Sequence, residues 1–319
     1  MRAFQVQSHD APPSLVDVPE PQPGPGQIRV RIAACGLNFA DLLMVDGSYQ
    51  DTPSVPFTLG LEVAGVVDAV GSDVTLPAVG SRVAVFAGQG GLAEIGIFPA
   101  ERAVVIPDAM PFDEAAGFLV AYGTSHLALT RRAALAPGER MAVLGAAGGV
   151  GLTAVEIGAA LGAEVVAVAR GQEKLATAAA AGATHLIDSQ TADIRAELKA
   201  LGGVDVIYDA VGGDQTEAAL RTMKPEGRLL VIGFASGKLP KIAPNHLLVK
   251  NVSVIGFYWG GYMAFAPQHL SASLAELFEM YVAGQISPHI SARFPLDEAQ
   301  DALDFLKARK STGKVVVTM

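Results

Sequence analysis

A regular alternation of apolar runs and Ala-rich stretches between residues 120 and 260 most constrains the fold of this chain. The Ala-rich stretches have the composition of helices. Five apolar runs have the length and the Val/Ile content of buried strands: 140–145, 164–169, 204–208, 228–232 and 252–256. Alternation of this kind predicts crossover units, and therefore a parallel sheet with helices on its faces.

The sequence on either side of this segment has a different character. Up to about residue 110 it is rich in strands and loops, and the predicted strands are 2–7, 27–34, 62–70, 81–86 and 92–98. The Pro-rich segment 19–26 predicts an extended connector. Two helices, at about 268–283 and 297–308, are predicted before a final strand at 314–317. Because this strand has no place in the alternating series, we expect it to return to the first domain. A length of 319 residues is sufficient for two domains.

Charge and cysteine content exclude several classes of protein. The 23 Lys and Arg against 32 Asp and Glu give a net charge of −9, which argues against nucleic-acid and anionic-membrane partners. A single cysteine, Cys35, excludes an internal disulfide framework and multi-cysteine metal sites. The sequence from Met1 to Gln5 does not resemble a signal peptide, and the uncharged stretch 251–275 contains Gly and Pro. We therefore predict a soluble, cytoplasmic protein.

A glycine-rich turn follows the first strand of the alternating segment. The run 141–145 leads into Ala146-Ala147-Gly148-Gly149-Val150-Gly151 and then a helix at 152–161, which is the context that a dinucleotide-binding turn requires. Gly148 would let the backbone approach a pyrophosphate, Gly151 would let the helix pack closely on the strand, and the helix amides would face the phosphates. Ala146 replaces the first glycine of the pattern. The alternative is a turn with a purely structural role. We predict that Ala147, Gly148, Gly149, Val150 and Gly151 bind the cofactor.

The residue that ends the second strand indicates which nucleotide binds. Proteins that bind NAD carry Asp or Glu near this position for the ribose hydroxyl, whereas this chain has Arg170, with Lys174 four residues later. A guanidinium offers a planar fork of donors that suits a 2′-phosphate. The alternative is two ordinary solvated cations. The pattern favours NADPH.

Motifs along the whole chain resemble those of one family. They are Gly36-Leu37-Asn38-Phe39-Ala40-Asp41, Gly47-Ser48-Tyr49, Gly60-Leu61-Glu62-Val63-Ala64-Gly65, Ala121-Tyr122-Gly123-Thr124-Ser125, the loop 145–151, Tyr208-Asp209-Ala210-Val211-Gly212-Gly213 and Gly233-Phe234-Ala235-Ser236-Gly237. In this order they resemble the zinc-free quinone oxidoreductases (zeta-crystallin-like) of the medium-chain dehydrogenase/reductase superfamily.

This resemblance implies an α/β fold with two domains. A GroES-like, β-rich catalytic domain would comprise residues 1–120 and 263–319, and a Rossmann domain with a doubly wound parallel sheet would comprise residues 121–262. The active site would lie in the cleft. The resemblance also implies a homodimer, in which the strand at 252–256 pairs with its copy at the edge of the sheet.

The positions of the zinc ligands in related alcohol dehydrogenases are altered in this chain. By resemblance, Asn38 stands in place of a cysteine and Leu61 in place of a histidine, so two zinc ligands are missing. We therefore expect no metal. Cys35, three residues from Asn38, is interpreted as a small buried residue.

The resemblance implies that Asn38, Asp41 and Tyr49 form the catalytic site. Hydride would pass from NADPH to a quinone or a similar conjugated carbonyl, and Asn38 could donate a hydrogen bond to the oxygen that gains charge. Tyr49 could donate a proton or form an aromatic wall, with water as an alternative proton source. Asp41 could hold the loop only, and Asn38 could be only a turn residue.

Six further residues are carried over as cofactor-binding by position: Thr124, Val211, Phe234, Ser236, Phe257 and Lys314. Trp259 suits either a wall of the substrate cleft or a dimer or core contact. Two residues depart from the family pattern: Ser189 replaces a tyrosine, which slightly weakens the case for NADPH, and Val45 replaces an arginine, which makes the substrate less certain. Alternative functions are a reductase of 2-enoyl thioesters or enones, and an NADPH-binding crystallin-like protein with little turnover.

Overall fold

The computed structural model describes residues 1–319 and divides them into two compact units. The first unit comprises Met1–Val120 and Pro288–Met319, and the second comprises Ala121–Ser287. None of the helices combines the length and the apolar character that crossing a bilayer would need.

Sixteen strands occur along the chain. In order they are β1 Arg2–Val6, β2 Ser14–Asp17, β3 Gln27–Leu37, β4 Phe57–Thr58, β5 Glu62–Val70, β6 Arg82–Phe86, β7 Ile95–Pro99, β8 Ala103–Val105, β9 Arg140–Leu144, β10 Glu164–Ala169, β11 His185–Asp188, β12 Val204–Asp209, β13 Met223–Val231, β14 Ser253–Gly256, β15 Ile290–Pro295 and β16 Lys314–Thr318.

Eleven α-helices lie between them. They are α1 Phe39–Val45, α2 Phe112–Ala116, α3 Leu119–Leu127, α4 Gly149–Ala160, α5 Gln172–Ala180, α6 Ile194–Ala200, α7 Gly213–Leu220, α8 Pro244–Lys250, α9 Tyr262–Phe265, α10 Pro267–Val282 and α11 Ala299–Lys307. A π-helical turn, Ala128–Arg132, extends α3.

The first unit is built around a seven-stranded sheet in the order β15-β16-β3-β5-β6-β8, with β7 also paired to β3. Strand β3 is long, and much of it alternates between buried and more exposed residues, as expected of a strand with one face on a core. Strand β16 runs antiparallel to β3, with Val315 opposite Leu37. The prediction that the final strand returns to the first domain is confirmed.

The second unit contains a six-stranded parallel sheet in the order β11-β10-β9-β12-β13-β14. Numbered from β9, this is the order 3-2-1-4-5-6 of a doubly wound dinucleotide-binding sheet. The predicted parallel sheet is confirmed. The strand order reverses between β9 and β12, and ligands of such sheets bind beyond the carboxyl ends of the strands at that point.

The boundary predicted at residue 263 differs from the structure, because helix α10 belongs to the second unit. Its apolar face, including Leu274 and Leu277, is buried. The Nδ1 atom of His126, in α3, lies 2.8 Å from the Ser273 hydroxyl of α10. Burial lowers the pKa of His126, in opposition to the nearby Glu276 carboxylate. Packing against α3, which sequence periodicity does not reveal, therefore moves the boundary to residue 288.

Candidate functional site

The glycine turn joins β9 to α4, and its glycines differ in how much space there is for a side chain. A Cβ atom on Gly151 would lie 2.0 Å from the Gly145 carbonyl oxygen, so only glycine lets this helix approach the strand. A Cβ atom on Gly148 would lie 3.5 Å from the same oxygen, which is ordinary contact. The packing of the protein therefore requires glycine at position 151 and does not require it at position 148.

The first turn of α4 presents backbone amides that no side chain caps. Gly148 is the N-cap residue and makes no side-chain hydrogen bond to the helix. The N–H groups of Gly149, Val150 and Gly151 are therefore left without intrahelical partners, as at any helix start. With the helix dipole they form a site for an anion. Ala147, just before this turn, is buried.

A buried carboxylate shapes the neighbouring turn after β12. One oxygen of Asp209 accepts the N–H groups of Val211, at 2.8 Å, and Gly212, at 2.9 Å, and the other oxygen accepts the Thr216 hydroxyl. Burial raises the pKa of Asp209, and these hydrogen bonds oppose the shift. A Cβ atom on Gly145 would lie 2.9 Å from Val211, so the turns after β9 and β12 are in close contact. Asp209, which the sequence analysis did not identify as functional, sets this arrangement.

The predicted residues after β13 lie against the same turn. The Ser236 N–H donates to the Val211 carbonyl at 2.8 Å. A Cβ atom on Gly212 would lie 3.0 Å from the Phe234 ring, and Phe234 is 42% exposed. The structure therefore brings Val211, Phe234 and Ser236 together beside the glycine turn.

Two other predicted cofactor residues are buried in the second unit. Thr124 lies in α3, and the hydroxyl of its neighbour Ser125 donates to the Val150 carbonyl at 2.9 Å. Helix α3 therefore contacts the first turn of α4. Phe257 follows β14, and its N–H donates to the Val231 carbonyl at 3.1 Å.

Arg170 directly follows β10, its side chain is exposed, and no ion pair or side-chain hydrogen bond joins it to the rest of the protein. The next residue, Gly171, donates its N–H to the Asp188 carboxylate at 3.0 Å, a bond that lowers the pKa of Asp188. Lys174 is half-buried in the first turn of α5. Arg170 is thus an unpaired cation at the carboxyl end of the second strand of this sheet.

In the first unit, Asn38 and Asp41 form a reciprocal hydrogen-bonded turn at the start of α1. The Asn38 N–H donates to Asp41 Oδ2 at 2.7 Å, and the Asp41 N–H donates to the Asn38 carbonyl at 3.0 Å. Asp41 is completely buried, and its Oδ1 has no hydrogen-bond partner. Burial raises the pKa of Asp41 to about 7, although the Asn38 amide and the Lys314 charge act in the opposite direction. Asp41 therefore holds the backbone of the turn at Asn38 through this buried hydrogen bond.

Lys314 does not have the surroundings of a cofactor-binding residue. Its ammonium lies 2.8 Å from each of three oxygens, the Leu37 carbonyl, Asn38 Oδ1 and Glu62 Oε1. All three of its N–H groups are thereby engaged within the first unit. The cofactor-binding role of Lys314 stays a prediction, and in this arrangement the ammonium has no further N–H for a ligand.

The side-chain amide of Asn38 is also fully engaged. Its Nδ2 donates to Glu62 Oε1 at 3.0 Å and to the Gly36 carbonyl at 3.2 Å. Both N–H groups of this amide are therefore hydrogen-bonded within the first unit, and the bond to Gly36 is the longest of those the amide makes. Tyr49, the third predicted catalytic residue, packs half-buried on the core of the first unit.

Glu62 is the site residue that the sequence analysis missed. It is buried, and its second oxygen accepts the Val120 N–H at 3.0 Å. The sequence does contain a signal for this residue. Glu62 and Lys314 have opposite charges, and each begins a strand that continues with apolar residues. Charges at such positions are rarely buried unless they are paired.

The residues around Asn38 do not fit a zinc site. An amide at position 38 and an apolar side chain at Leu61 are not zinc ligands. The structure contains no group of three or more His, Cys, Asp and Glu side chains that could hold a metal ion. Cys35 is buried, as expected, and burial raises the pKa of its thiol.

Trp259 is a core contact of the second unit. It is buried, and a Cβ atom on Gly123 would lie 2.6 Å from its Nε1, so it packs directly on α3. A surface cavity of about 510 Å³ is lined by residues that include three close to Trp259 in the sequence. Its lining residues are Arg131, Arg132, Tyr262, Phe265 and Ala266. None of the predicted site residues lines it.

Two domain families match the chain. Residues 24–108 match the alcohol dehydrogenase GroES-like domain, and residues 149–278 match the zinc-binding dehydrogenase domain. The two matches fall in the first and the second unit respectively.

Individual proteins are similar over nearly the whole chain. A quinone oxidoreductase-like protein 2 homolog from Nematostella vectensis is 41% identical over 91% of this chain and 81% of its own length. The quinone oxidoreductase of Thermus thermophilus, whose structures include a complex with NADPH, is 34% identical with a TM-score of 0.90. That of Escherichia coli, complexed with NADPH, is 29% identical with a TM-score of 0.92. Both alignments cover 100% of this chain and 100% of the other chain.

Proposed function

The chain belongs to the quinone oxidoreductases of the medium-chain dehydrogenase/reductase superfamily, and from this membership we propose that it reduces a quinone, or a similar conjugated carbonyl, with NADPH and without zinc. It is an NADPH-dependent oxidoreductase. The observation that carries the cofactor assignment is the unpaired Arg170, beside an uncapped glycine turn in a sheet with the order 3-2-1-4-5-6.

The second unit has groups that fit each part of NADPH. The first-turn amides of α4 would hold the pyrophosphate, and Gly148 leaves the space for its approach. Arg170 would pair with the 2′-phosphate, with Lys174 beside it. Val211, Phe234 and Ser236 would line the cofactor, with Thr124 and Phe257 near its nicotinamide end. NADPH supplies a hydride when it is bound.

The first unit would respond to charge that develops on the substrate oxygen. Asn38 can exchange its 3.2 Å hydrogen bond to the Gly36 carbonyl for one to that oxygen, because this bond is the longest and joins two uncharged groups. A donor aimed at developing charge lowers the barrier to reaction. Tyr49 would supply a second donor or an aromatic wall, with water as an alternative source of the proton.

The proposed reaction does not use zinc. Quinones are already activated acceptors, so polarisation of the carbonyl by a metal is not required. We also propose that two copies of the chain pair along β14, whose outer edge has no partner strand in the sheet.

The test is NADPH oxidation, followed at the nicotinamide absorbance, after dialysis against a strong chelator. A quinone, an enone and a crotonyl thioester are compared as acceptors. We expect rapid oxidation with the quinone and no change after chelation. Oxidation with the thioester alone would replace the proposal with enoyl reduction, and no oxidation with any acceptor would favour an NADPH-binding role. Activity that chelation abolishes and zinc restores would refute zinc independence.

A further inference from the structure

A buried cluster of charges lies where strands β16, β3 and β5 meet in the first unit. The side chains of Lys314 and Glu62 are 6% and 1% exposed, and their ion pair is 2.8 Å long. Two charges this deeply buried are stable only when further hydrogen bonds satisfy them. Here the Leu37 carbonyl and Asn38 Oδ1 complete the partners of the ammonium, and the Val120 N–H and Asn38 Nδ2 bind the carboxylate.

This cluster fixes the orientation of the Asn38 amide. The amide oxygen faces the Lys314 ammonium, and its nitrogen faces the Glu62 carboxylate. A half-turn of the amide would place its N–H groups against the ammonium and its oxygen against the carboxylate, so both contacts would become repulsive. Only one orientation of this side chain is compatible with the cluster.

The stem of Lys314 packs closely against the backbone of Gly117. A Cβ atom on Gly117 would lie 3.2 Å from Lys314 Cγ, so the stem passes tightly over a glycine. Asn38 itself is only half-buried. The side chain that the cluster holds is therefore accessible, whereas the groups that hold it are not.

We infer that Lys314 and Glu62 are a positioning pair for the Asn38 amide. The Lys314 ammonium holds the amide oxygen and the Glu62 carboxylate holds one N–H of the amide nitrogen. The other N–H, which donates to the Gly36 carbonyl, can exchange onto the substrate oxygen. The inference rests on the proposed function, and it concerns residues to which the family resemblance gives either a cofactor role or none.

A double-mutant cycle tests the inference. The combined variant Lys314→Met with Glu62→Gln removes both charges, so that no unpaired carboxylate is left buried. It is made in the wild type and in Asn38→Ala, and kcat, the KM for the quinone and the dissociation constant of NADPH are measured. We expect kcat to fall about tenfold or more in the combined variant and in Asn38→Ala. The triple variant should lose no further activity, because the pair acts only through Asn38.

NADPH binding and a matched lysine provide controls. The dissociation constant of NADPH, from its fluorescence, should stay within about twofold of the wild type, because Lys314 has no donor left for the cofactor. Lys310→Met removes an exposed lysine from the same tail and should leave kcat unchanged. If the combined variant weakens NADPH binding at constant kcat, the cofactor role of Lys314 is correct and the inference is overturned.

The remaining outcomes also decide the matter. Additive losses of kcat in the triple variant would mean that the pair acts independently of Asn38, which overturns the inference. The unfolding free energies of the same four proteins form a second cycle. If the destabilisation of the triple variant equals the sum of those of the combined variant and Asn38→Ala, the pair does not interact with the amide. A wild type that reduces no quinone refutes the proposed function, and the unfolding cycle alone then decides the inference.

Discussion

At the scale of single residues, Arg170 is the side chain that we propose to determine cofactor choice. Arg170→Asp removes a charge-assisted hydrogen bond worth about 1.5–3 kcal/mol, or about 10- to 150-fold in affinity, and adds repulsion. We expect a KM for NADPH raised by at least that factor, a nearly unchanged kcat and better use of NADH, because this end of the cofactor binds equally in ground and transition states. Steady-state kinetics with both cofactors measures this.

A second exposed arginine of the same unit, Arg195, provides the matched control. Arg195→Asp changes the net charge equally and should leave both KM values unchanged. If Arg170→Asp retains the preference for NADPH, the assignment of the 2′-phosphate to Arg170 is wrong.

Asp41 makes the stability of the protein depend on pH. Burial raises its folded pKa from 3.8 to about 7, so the folded state binds the proton more tightly than the unfolded state. The resulting stabilisation is complete below the unfolded pKa and is lost as the pH rises through about 7. Between about pH 5.5 and 8.5 we expect a loss of about 2 kcal/mol from this group, a loss that Asp41→Asn should lack. Urea unfolding of both proteins measures it, and equal slopes would contradict it.

Predictability from sequence differs between residues of the two units. Roles can be proposed for Gly148, Gly151 and Arg170 from the sequence because these roles depend on neighbours within a few positions of one strand–turn–helix unit. Lys314 and Glu62 are 252 positions apart and meet only because β16 inserts beside β3. The local sequence shows that each charged residue begins an apolar strand, but it does not show that the two residues pair with each other.

At the scale of elements, the strand–turn–helix unit separates two uses of glycine. Gly151→Ala would place a methyl group 2.0 Å from a backbone oxygen, and we expect a loss of about 1–3 kcal/mol of stability. Gly148→Ala makes only ordinary contact, so we expect stability within about 0.5 kcal/mol of the wild type but weaker NADPH binding. Denaturant unfolding and a fluorescence titration with NADPH measure the two effects. Equal effects of the two substitutions on stability would refute the distinction.

Val-rich strands between glycines follow from the sequence, whereas several edge strands, β15 among them, do not. The strands β5 and β10 match their predicted bounds because both are rich in Val and lie between glycines in the sequence. Strands β4 and β8, of two and three residues, were not predicted. They exist because a distant strand supplies their hydrogen bonds, and two or three residues carry no measurable periodicity.

At the scale of the whole molecule, the outer edge of β14 predicts a dimer. This strand pairs only with β13, and the preceding helix α8 exposes Leu248 and Val249 at 79% and 74%. Unpaired edges beside apolar surface favour association with a second copy. Light scattering at micromolar concentration should give the mass of a dimer.

Charge at the proposed interface should dissociate this dimer. Ser253→Lys, at an exposed position of β14, would place two like charges in the paired edges, so we expect a monomer with little change in melting temperature. Leu76→Lys, at an exposed apolar position of the first unit, is the control and should remain dimeric. A wild type with the mass of a monomer would refute the proposal.

The discontinuity of the first unit has a consequence for the order in which the chain folds as it is synthesised. Domains usually fold from the N-terminus as they leave the ribosome. Here the first unit lacks β15, β16 and Lys314 until the whole second unit has been made. Until then the edge of β3 that β16 later covers is open, and Glu62 and Asn38 have no ammonium between them. The edge of β3 therefore stays without its partner strand for most of the synthesis of the chain. The unit that begins first is the one completed last.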